Sequence, residues 1–396
     1  SNNTVMLTTQ SQLGRSAASQ KLSVISKIIL FDPNNIKIKS PISSKDNSEI
    51  ISKIEQMLSL IRRLYNENKY EKNTDKVRER NDMIMSLLQN LKALSISPDN
   101  HKPILELGLI NLLEKYIQDT NNANKDISYY TDSLDVVKNC LYSDSAIPTF
   151  LSSNIASRLV DDVNEIYTHP DLLAKNDIKS IFTYSNAVFS NLCRNKKGFN
   201  FVLNKLGMDK LISIGIKSNN NDIITAVLEM LCIYMQNHPN ELKNKKNDIL
   251  VLLTKALKIN PKSIKLITYS LLLCGLSYSK EYADEFSKLN IIKAANAEFD
   301  KYNQQPEFLN STLFCLQNIT MNNVANCREV IDSGLLLKIK DVTRSLYSNP
   351  AIVENVTSLY SNLIRNNIEN IDKVVKSGIV ISIFNAITSY IDLPNP

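Results

Sequence analysis

Asparagine is the side chain with the most regular spacing in this sequence, and its chemistry is hydrogen bonding. Three asparagines each stand 16 residues before a glycine, in the pairs Asn191 and Gly207, Asn318 and Gly334, and Asn362 and Gly378. A carboxamide donates and accepts hydrogen bonds at once, so it suits both recognition of a peptide backbone and contacts between helices. The recurrence predicts one phase of an internal repeat.

The residue types that carry catalysis or bind metals show no such pattern. The three histidines are not at ligand spacing, and the six cysteines form no CxxC pair. The sequence has no local Ser/His/Asp or Cys/His signature, no GxxxxGK[ST] loop and no HExxH motif. These features predict a protein that is not an enzyme and that needs neither a cofactor nor a structural metal.

Five of the six cysteines recur in the same part of each repeat, where a small side chain suits close helix packing: Cys140, Cys193, Cys232, Cys274 and Cys315. Buried reduced thiols are typical of the cytosol. No run of residues resembles a signal peptide, and no apolar run approaches the ~18 residues that cross a bilayer. We expect a soluble cytoplasmic protein, with a nuclear or cytoskeleton-associated location as the alternative.

Composition narrows the fold to the all-α class. The chain has 396 residues, 43% of them hydrophobic, and 8 glycines, too few for a turn-rich β protein or a Gly-looped nucleotide enzyme. Its net charge of +6 is spread over many lysines and nearly as many acids. A nucleic-acid binder usually concentrates its basic residues on one face, so another protein is the better candidate partner.

The elements that position the asparagines repeat with a period of 42 to 44 residues, which is typical of armadillo or HEAT solenoids. The reference positions are Ile233, Gly275, Asn318 and Asn362. A helix end, a turn and a short apolar helix lead from each Asn to its Gly. Each repeat is interpreted as a short helix after the Gly, a second helix, a turn, and a long third helix that carries the Asn. Pro306 and Pro350 are expected to begin such third helices.

The ends of three third helices resemble the armadillo-repeat family, in which a Leu-x-Asn-Leu-type motif closes the third helix and a Gly precedes the next repeat. The matching segments are Leu316-Gln317-Asn318-Ile319, Tyr360-Ser361-Asn362-Leu363 and Phe189-Ser190-Asn191-Leu192. The resemblance covers roughly residues 50–396 and implies an all-α, right-handed superhelical solenoid of about seven armadillo-like repeats. The predicted domains are this solenoid, residues 49–396, and a polar N-terminal extension, residues 1–48.

Two interpretations of the extension stay open. Its apolar patch at residues 22–31 is predicted to cap the first repeat, because a terminal repeat exposes a core face. The contacting side chains would be Leu22, Val24, Ile28 and Ile29. The alternative is a regulatory tail in which the Ser40-Pro41 pair is a phosphorylation candidate.

The resemblance also implies a partner-binding groove along the stacked third helices. Its predicted residues are Asn191, Arg194, Asn195, Asn318, Asn322, Asn362, Arg365 and Asn366. The reference asparagines either bind a partner's backbone or form hydrogen bonds within or between adjacent repeats. The asparagines four residues further on are either groove residues or C-terminal helix caps. The arginines either reach an acidic partner or are solvated charges that suit a helix C-terminus.

The sequence contains no tryptophan, so it lacks the Asn and Trp pairs with which armadillo nuclear-import adaptors hold basic cargo. The predicted function is a non-enzymatic scaffold or adaptor that binds a peptide or a helix of another protein. Three alternatives stay open: a regulator of a small GTPase, a co-chaperone of a motor protein or Hsp70, and a component of a cytoskeletal assembly. Nucleotide-dependent affinity, client refolding and co-sedimentation with filaments would distinguish them. The sequence does not indicate an oligomeric state.

Overall fold

The computed structural model describes residues 44–119, 126–237, 242–259, 263–343, 349–365 and 368–391. These residues form helices joined by turns, and none of them lies in a β-strand, which confirms the all-α prediction. They fall into two compact units that divide the sequence between Val202 and Leu203. Among the described helices, none combines the length and the apolar character that a bilayer crossing requires.

The first unit stacks three long helices in chain order. Its α-helices are α1 (Ser44–Lys69), α2 (Thr74–Leu94), α3 (His101–Ile104), α4 (Ile110–Gln118), α5 (Ile127–Cys140), α6 (Ile147–Leu151), α7 (Asn154–Thr168), α8 (Asn176–Leu192) and α9 (Lys196–Leu206), whose last residues fall beyond the division between the units. Helix α2 packs on α5, and α5 packs on α8. These three are the third helices of the predicted repeats, and the shorter helices complete each layer.

The second unit stacks four long helices in the same way. Its helices are α10 (Met208–Lys217), α11 (Asn221–Asn237), α12 (Lys246–Lys258), α13 (Ile264–Ser277), α14 (Ala283–Lys288), α15 (Ile291–Tyr302), α16 (Pro306–Thr320), α17 (Val324–Asp332), α18 (Leu335–Thr343), α19 (Pro350–Arg365), α20 (Ile368–Lys376) and α21 (Ile379–Ile391). Helices α11, α13, α16 and α19 pack consecutively. With the three of the first unit, the described residues contain the third helices of about seven repeats.

The third helices begin where local sequence signals place them. Pro306 and Pro350 open α16 and α19, where the missing N–H of proline costs no hydrogen bond. Asp126 caps α5, because its Oδ1 accepts a hydrogen bond from the backbone N–H of Ser128 at 2.9 Å. These starts set the rotation of each helix, and hence which side chains face the neighbouring layers.

The glycines lie inside each repeat, which corrects the predicted order of helices. Between Gly207 and α11, a stretch that the structure describes throughout, the chain forms α10 alone and not two helices. Gly207, Gly334 and Gly378 each have a φ of 76°, in the region that glycine adopts without steric cost. At this angle the chain reverses between the first and the second helix of a repeat. Each repeat begins after the Asn of the preceding third helix, and its Gly lies between its first and second helices.

Gly275 replaces Asn at the reference position because α13 and α16 approach too closely there for a side chain. A Cβ atom at Gly275 would lie 2.8 Å from Cδ1 of Phe314 and 3.0 Å from Cα of Cys315, well inside normal van der Waals contact. The same proximity leaves Cys274 and Cys315 fully buried. Helix packing thus explains one of the two departures from the Asn pattern.

The predicted N-terminal extension lies almost entirely outside the described residues. This applies to Leu22, Val24, Ile28 and Ile29, so both interpretations of the extension stay predictions. The described chain begins with α1 at Ser44, a few residues before the predicted boundary.

Candidate functional site

An open depression of ≈ 460 Å³ lies on the exposed side of α16 and α19 in the second unit. Its lining combines amides and hydroxyls with one thioether and one guanidinium: Gln317, Asn318, Met321, Thr357, Ser358, Ser361, Asn362 and Arg365. The sequence predicted three of these, Asn318, Asn362 and Arg365, as groove residues. We call this site the amide depression.

Helical periodicity explains why these side chains share one surface. Along α16 and the residue that follows it, Asn310, Phe314, Gln317 and Met321 are at least partly exposed, at spacings of three and four residues that mark one face of a helix. The opposite face carries fully buried side chains such as Leu313. Because the apolar face of α16 packs against its neighbours, the polar face of the helix is exposed to solvent.

Hydrogen bonds hold both asparagines of the amide depression in place. Nδ2 of Asn362 donates to the carbonyl of Gln317 at 2.7 Å and lies 3.4 Å from Oγ1 of Thr320. The last carbonyls of a helix have no partner inside that helix, so Asn362 of α19 supplies one at the end of α16. Nδ2 of Asn318 donates to the carbonyl of Phe314 in its own helix at 2.7 Å. The two carboxamides thus have fixed orientations in the unbound protein.

In the first unit, Asn191 makes an equivalent contact but is buried, with 4% of its surface exposed. Its Nδ2 donates to the carbonyl of Lys138 at 2.7 Å. Asn139, one repeat earlier in the same phase, donates to Oγ of Ser95 at 2.9 Å. This geometry supports hydrogen bonding between adjacent repeats for Asn191, and its direct role in partner binding stays a prediction.

Arg194 and Asn195 connect the turn after α5 with the start of α9. Cζ of Arg194 lies 4.8 Å from the ring centre of Tyr142, a cation–π arrangement. Nδ2 of Asn195 donates to Oδ1 of Asp144 at 2.6 Å, and its Oδ1 accepts from the backbone N–H of Lys197 at 2.8 Å. Asn195 therefore caps the N-terminus of α9, whereas the cap interpretation had placed it at the C-terminus of the preceding helix.

The remaining predicted groove residues lie at the ends of α16 and α19. Asn322 is exposed just after α16 and has a φ of 57°, the left-handed conformation that Asn adopts readily at a helix C-terminus. Arg365, the last residue of α19, is exposed at the edge of the amide depression. Asn366 lies outside the described residues.

Sequence reasoning missed a charged cluster on α2 and α5. Oδ2 of Asp135 lies 2.5 Å from Nζ of Lys92, and its other oxygen pairs with Lys138. Burial alone would raise the pKa of Asp135, but the two ion pairs outweigh burial and lower it. Asp132 accepts a hydrogen bond from Nε2 of Gln89 at 3.1 Å, and burial raises its pKa. The spacing of Asp132 and Asp135 was visible in the sequence. The sequence did not show that Lys92, one repeat earlier, lies beside them.

The side chains at these sites offer hydrogen-bonding groups and charges. The described cysteines are free and buried, and burial raises the pKa of Cys193 to about 12 and that of Cys327 to about 11, which makes the nucleophilic thiolate scarce at neutral pH. Within the described ranges, no group of three or more His, Cys, Asp or Glu side chains could hold a metal ion. The amide depression offers hydrogen-bond donors, acceptors and one cation, without a histidine or carboxylate beside its hydroxyls.

Comparison with known proteins supports the fold. The crystal structure of an engineered protein superposes with a TM-score of 0.50 at 13% sequence identity, over 90% of this chain and 93% of that chain. A designed armadillo repeat protein in complex with peptide (KR)4 matches with a TM-score of 0.41 at 11% identity, over 67% of this chain and 99% of that chain. No family model matches the sequence, and no curated protein is similar to it. The stacked helices of the described residues form an all-α solenoid fold, and a fold by itself does not define a function.

Proposed function

We propose that the chain is an armadillo-like, non-enzymatic scaffold or adaptor, and that its second unit binds an extended segment of another protein. The amide depression is the observation that supports this proposal. An extended peptide presents N–H and C=O groups along its length, and carboxamides can pair with both kinds of group. Gln317, Asn318 and Asn362 supply three carboxamides in one depression.

The other lining residues indicate which side chains the segment carries. The guanidinium of Arg365 can pair with a carboxylate. Met321 is exposed in the same lining, and a thioether adapts to apolar partners of different shapes. We therefore propose a segment with an acidic side chain close to an apolar one.

The other predicted groove residues are proposed as secondary contacts. Arg194 and Asn195 already make contacts within the first unit, and Asn191 is buried. Asn322 is exposed near Met321 in the sequence, and Asn366 follows Arg365. Asn318 and Asn362 also make hydrogen bonds, but they line an open depression, which is why the residues of the first unit rank below the amide depression.

The test is selection of linear peptides from a random phage-displayed library against the full chain, followed by fluorescence-polarisation titration. Arg365→Glu is expected to weaken binding of the enriched peptides about tenfold or more, because it turns an attraction into a repulsion. Asn362→Ala is expected to weaken it up to about tenfold, the value of one hydrogen bond. Arg328→Glu is the matched control, since Arg328 is exposed on α17 outside the depression. Failure to enrich peptides, or equal affinity for all variants, would contradict the proposal.

The same titration decides the role of Asn191. If Asn191 stacks repeats, Asn191→Ala lowers the melting temperature, because the carbonyl of Lys138 loses its buried partner, and peptide affinity stays unchanged. Weaker peptide binding at an unchanged melting temperature would instead assign Asn191 to the groove.

A further inference from the structure

The described part of the second unit ends in an apolar helix surface that no other described residue covers. Its exposed side chains are Ile371, Val375, Val380, Ile381 and Phe384, which we call the α20–α21 face. At the ~150–250 Å² that large side chains present, their exposed fractions amount to roughly 500 Å². Single exposed apolar side chains are ordinary, whereas an apolar patch of roughly 300–600 Å² is often functional.

Comparison with the preceding repeat shows what this face does inside the array. The spacing of the glycines aligns α18 with α21, so that Val380 corresponds to Leu336 and Phe384 to Lys340. Leu336 is 2% exposed, whereas Val380 is 49% exposed. Nζ of Lys340 donates to the carbonyl of Ser377 in the following repeat at 2.9 Å. Phe384 therefore occupies a position whose equivalent, Lys340, contacts the following repeat, and Val380 occupies one whose equivalent, Leu336, is buried.

We propose that the α20–α21 face binds the same face of a second copy of this chain, in a two-fold symmetric dimer. Helix α21 contains no charged residue, so two copies can approach without repulsion between like charges. The nearby lysines of α20 are already paired, Lys373 with Asp332 at 2.6 Å and Lys376 with Asp372 at 3.0 Å. Phe384 replaces the lysine of an internal repeat junction, so the face suits an apolar surface like itself.

The size and the charge of the available surfaces favour this two-fold arrangement over head-to-tail stacking. Two copies of the face would bury on the order of 1,000 Å², the lower limit for a specific interface. The exposed positions of α1, the first described helix, include Glu49, Glu55, Arg62 and Arg63. Burying those charged side chains against an apolar face would remove them from water, and the face offers no group that could pair with them, which is unfavourable.

The test is sedimentation equilibrium of the full chain from low to high micromolar concentration, on the wild type and three variants. Wild type is expected to dimerise. Phe384→Glu and Ile381→Asn are each expected to raise the dissociation constant by a factor on the order of a hundred, because a two-fold interface loses each contact twice. Ile96→Glu is the control, since Ile96 is 78% exposed in the first unit and its substitution should leave the dimer intact.

Ile381 and Phe384 are largely exposed, so their substitution should leave folding unchanged. Circular dichroism with thermal melting checks this for each variant. Peptide binding at the amide depression should also be unaffected. A wild type that stays monomeric at high micromolar concentration would overturn the proposal. A dimer that survives both face substitutions, or growth into larger heterologous assemblies, would overturn it as well.

Discussion

Every helix leaves carbonyl groups without a partner at its C-terminus. Carboxamides near the ends of the third helices donate hydrogen bonds to such groups. Asn191 and Asn362 each donate to a carbonyl of the preceding third helix, and Asn139 donates to the hydroxyl of Ser95 at the end of α2. A net contribution of about 0.5–1.5 kcal/mol is typical of such hydrogen bonds. Because each bond crosses a repeat junction, it fixes the register between layers.

A buried histidine contacts the same helix end that Asn139 contacts. Nε2 of His101 lies 2.8 Å from the carbonyl of Ser95, and His101 is 3% exposed. Burial lowers the pKa of His101, and it outweighs the opposite effect of the Ser95 carbonyl. The fold therefore favours the neutral ring, with the proton on Nε2 donated to Ser95.

Mild acid is expected to destabilise the protein through His101. With a pKa below the ordinary ~6.5 in the folded state, the unfolded chain binds the proton first as the pH falls. The contribution of His101 is complete above about pH 6.5 and is lost below it, by at most about 1.4 kcal/mol per pH unit. Urea unfolding at a series of pH values should show this loss in wild type and in the control His169→Gln, which changes an exposed histidine. This loss of stability should be absent in His101→Gln. The same pH profile in all three proteins would contradict the role of His101.

At the scale of helices, the sequence predicted the features that depend on residues within one helical turn, such as where a helix begins. The starts of α16 and α19 were predicted from Pro306 and Pro350, because proline acts within one helical turn. Contacts between layers depend on how closely two helices approach, and the sequence does not state that distance. For this reason the sequence could not explain Gly275, could not pair Lys92 with Asp135, and placed the repeat glycines before the first helix of the repeat.

Gly275→Ala should lower the free energy of unfolding by about 1–3 kcal/mol, because the new methyl group meets Cα of Cys315, which cannot move without the backbone of α16. On an unconstrained helix the same change would stabilise by roughly 1 kcal/mol, so the sign of the change is diagnostic. Gly215→Ala is the matched control: its methyl group would meet the side-chain ends of Leu252 and Val227, and a smaller loss is expected. Chemical denaturation measures all three proteins. Stabilisation by Gly275→Ala would show that α13 and α16 separate at little cost.

Within each unit, the extensive contacts of the long helices join adjacent layers. In the second unit α11 packs on α13, α13 on α16, and α16 on α19. In such an array stability is approximately a sum of repeat terms and nearest-neighbour terms. The amide depression and the α20–α21 face share no residue, so we expect partner binding and dimerisation to be compatible. A dimer would present two depressions to a partner with two binding segments, which raises its apparent affinity without a new contact.

The nearest-neighbour arrangement predicts that a core defect weakens the second unit locally and not uniformly. Leu231 of α11 and Leu359 of α19 are both fully buried, and truncating either to Ala should cost about 2–5 kcal/mol. Since α19 contacts α16 directly and α11 only through two intervening layers, Leu359→Ala should reduce amide hydrogen-exchange protection most in α19, less in α16 and least in α11. Leu231→Ala should give the reverse order, so each variant serves as the control for the other. Equal loss of protection in all four long helices, in both variants, would mean that the unit opens as a single cooperative block and that the nearest-neighbour description does not apply to it.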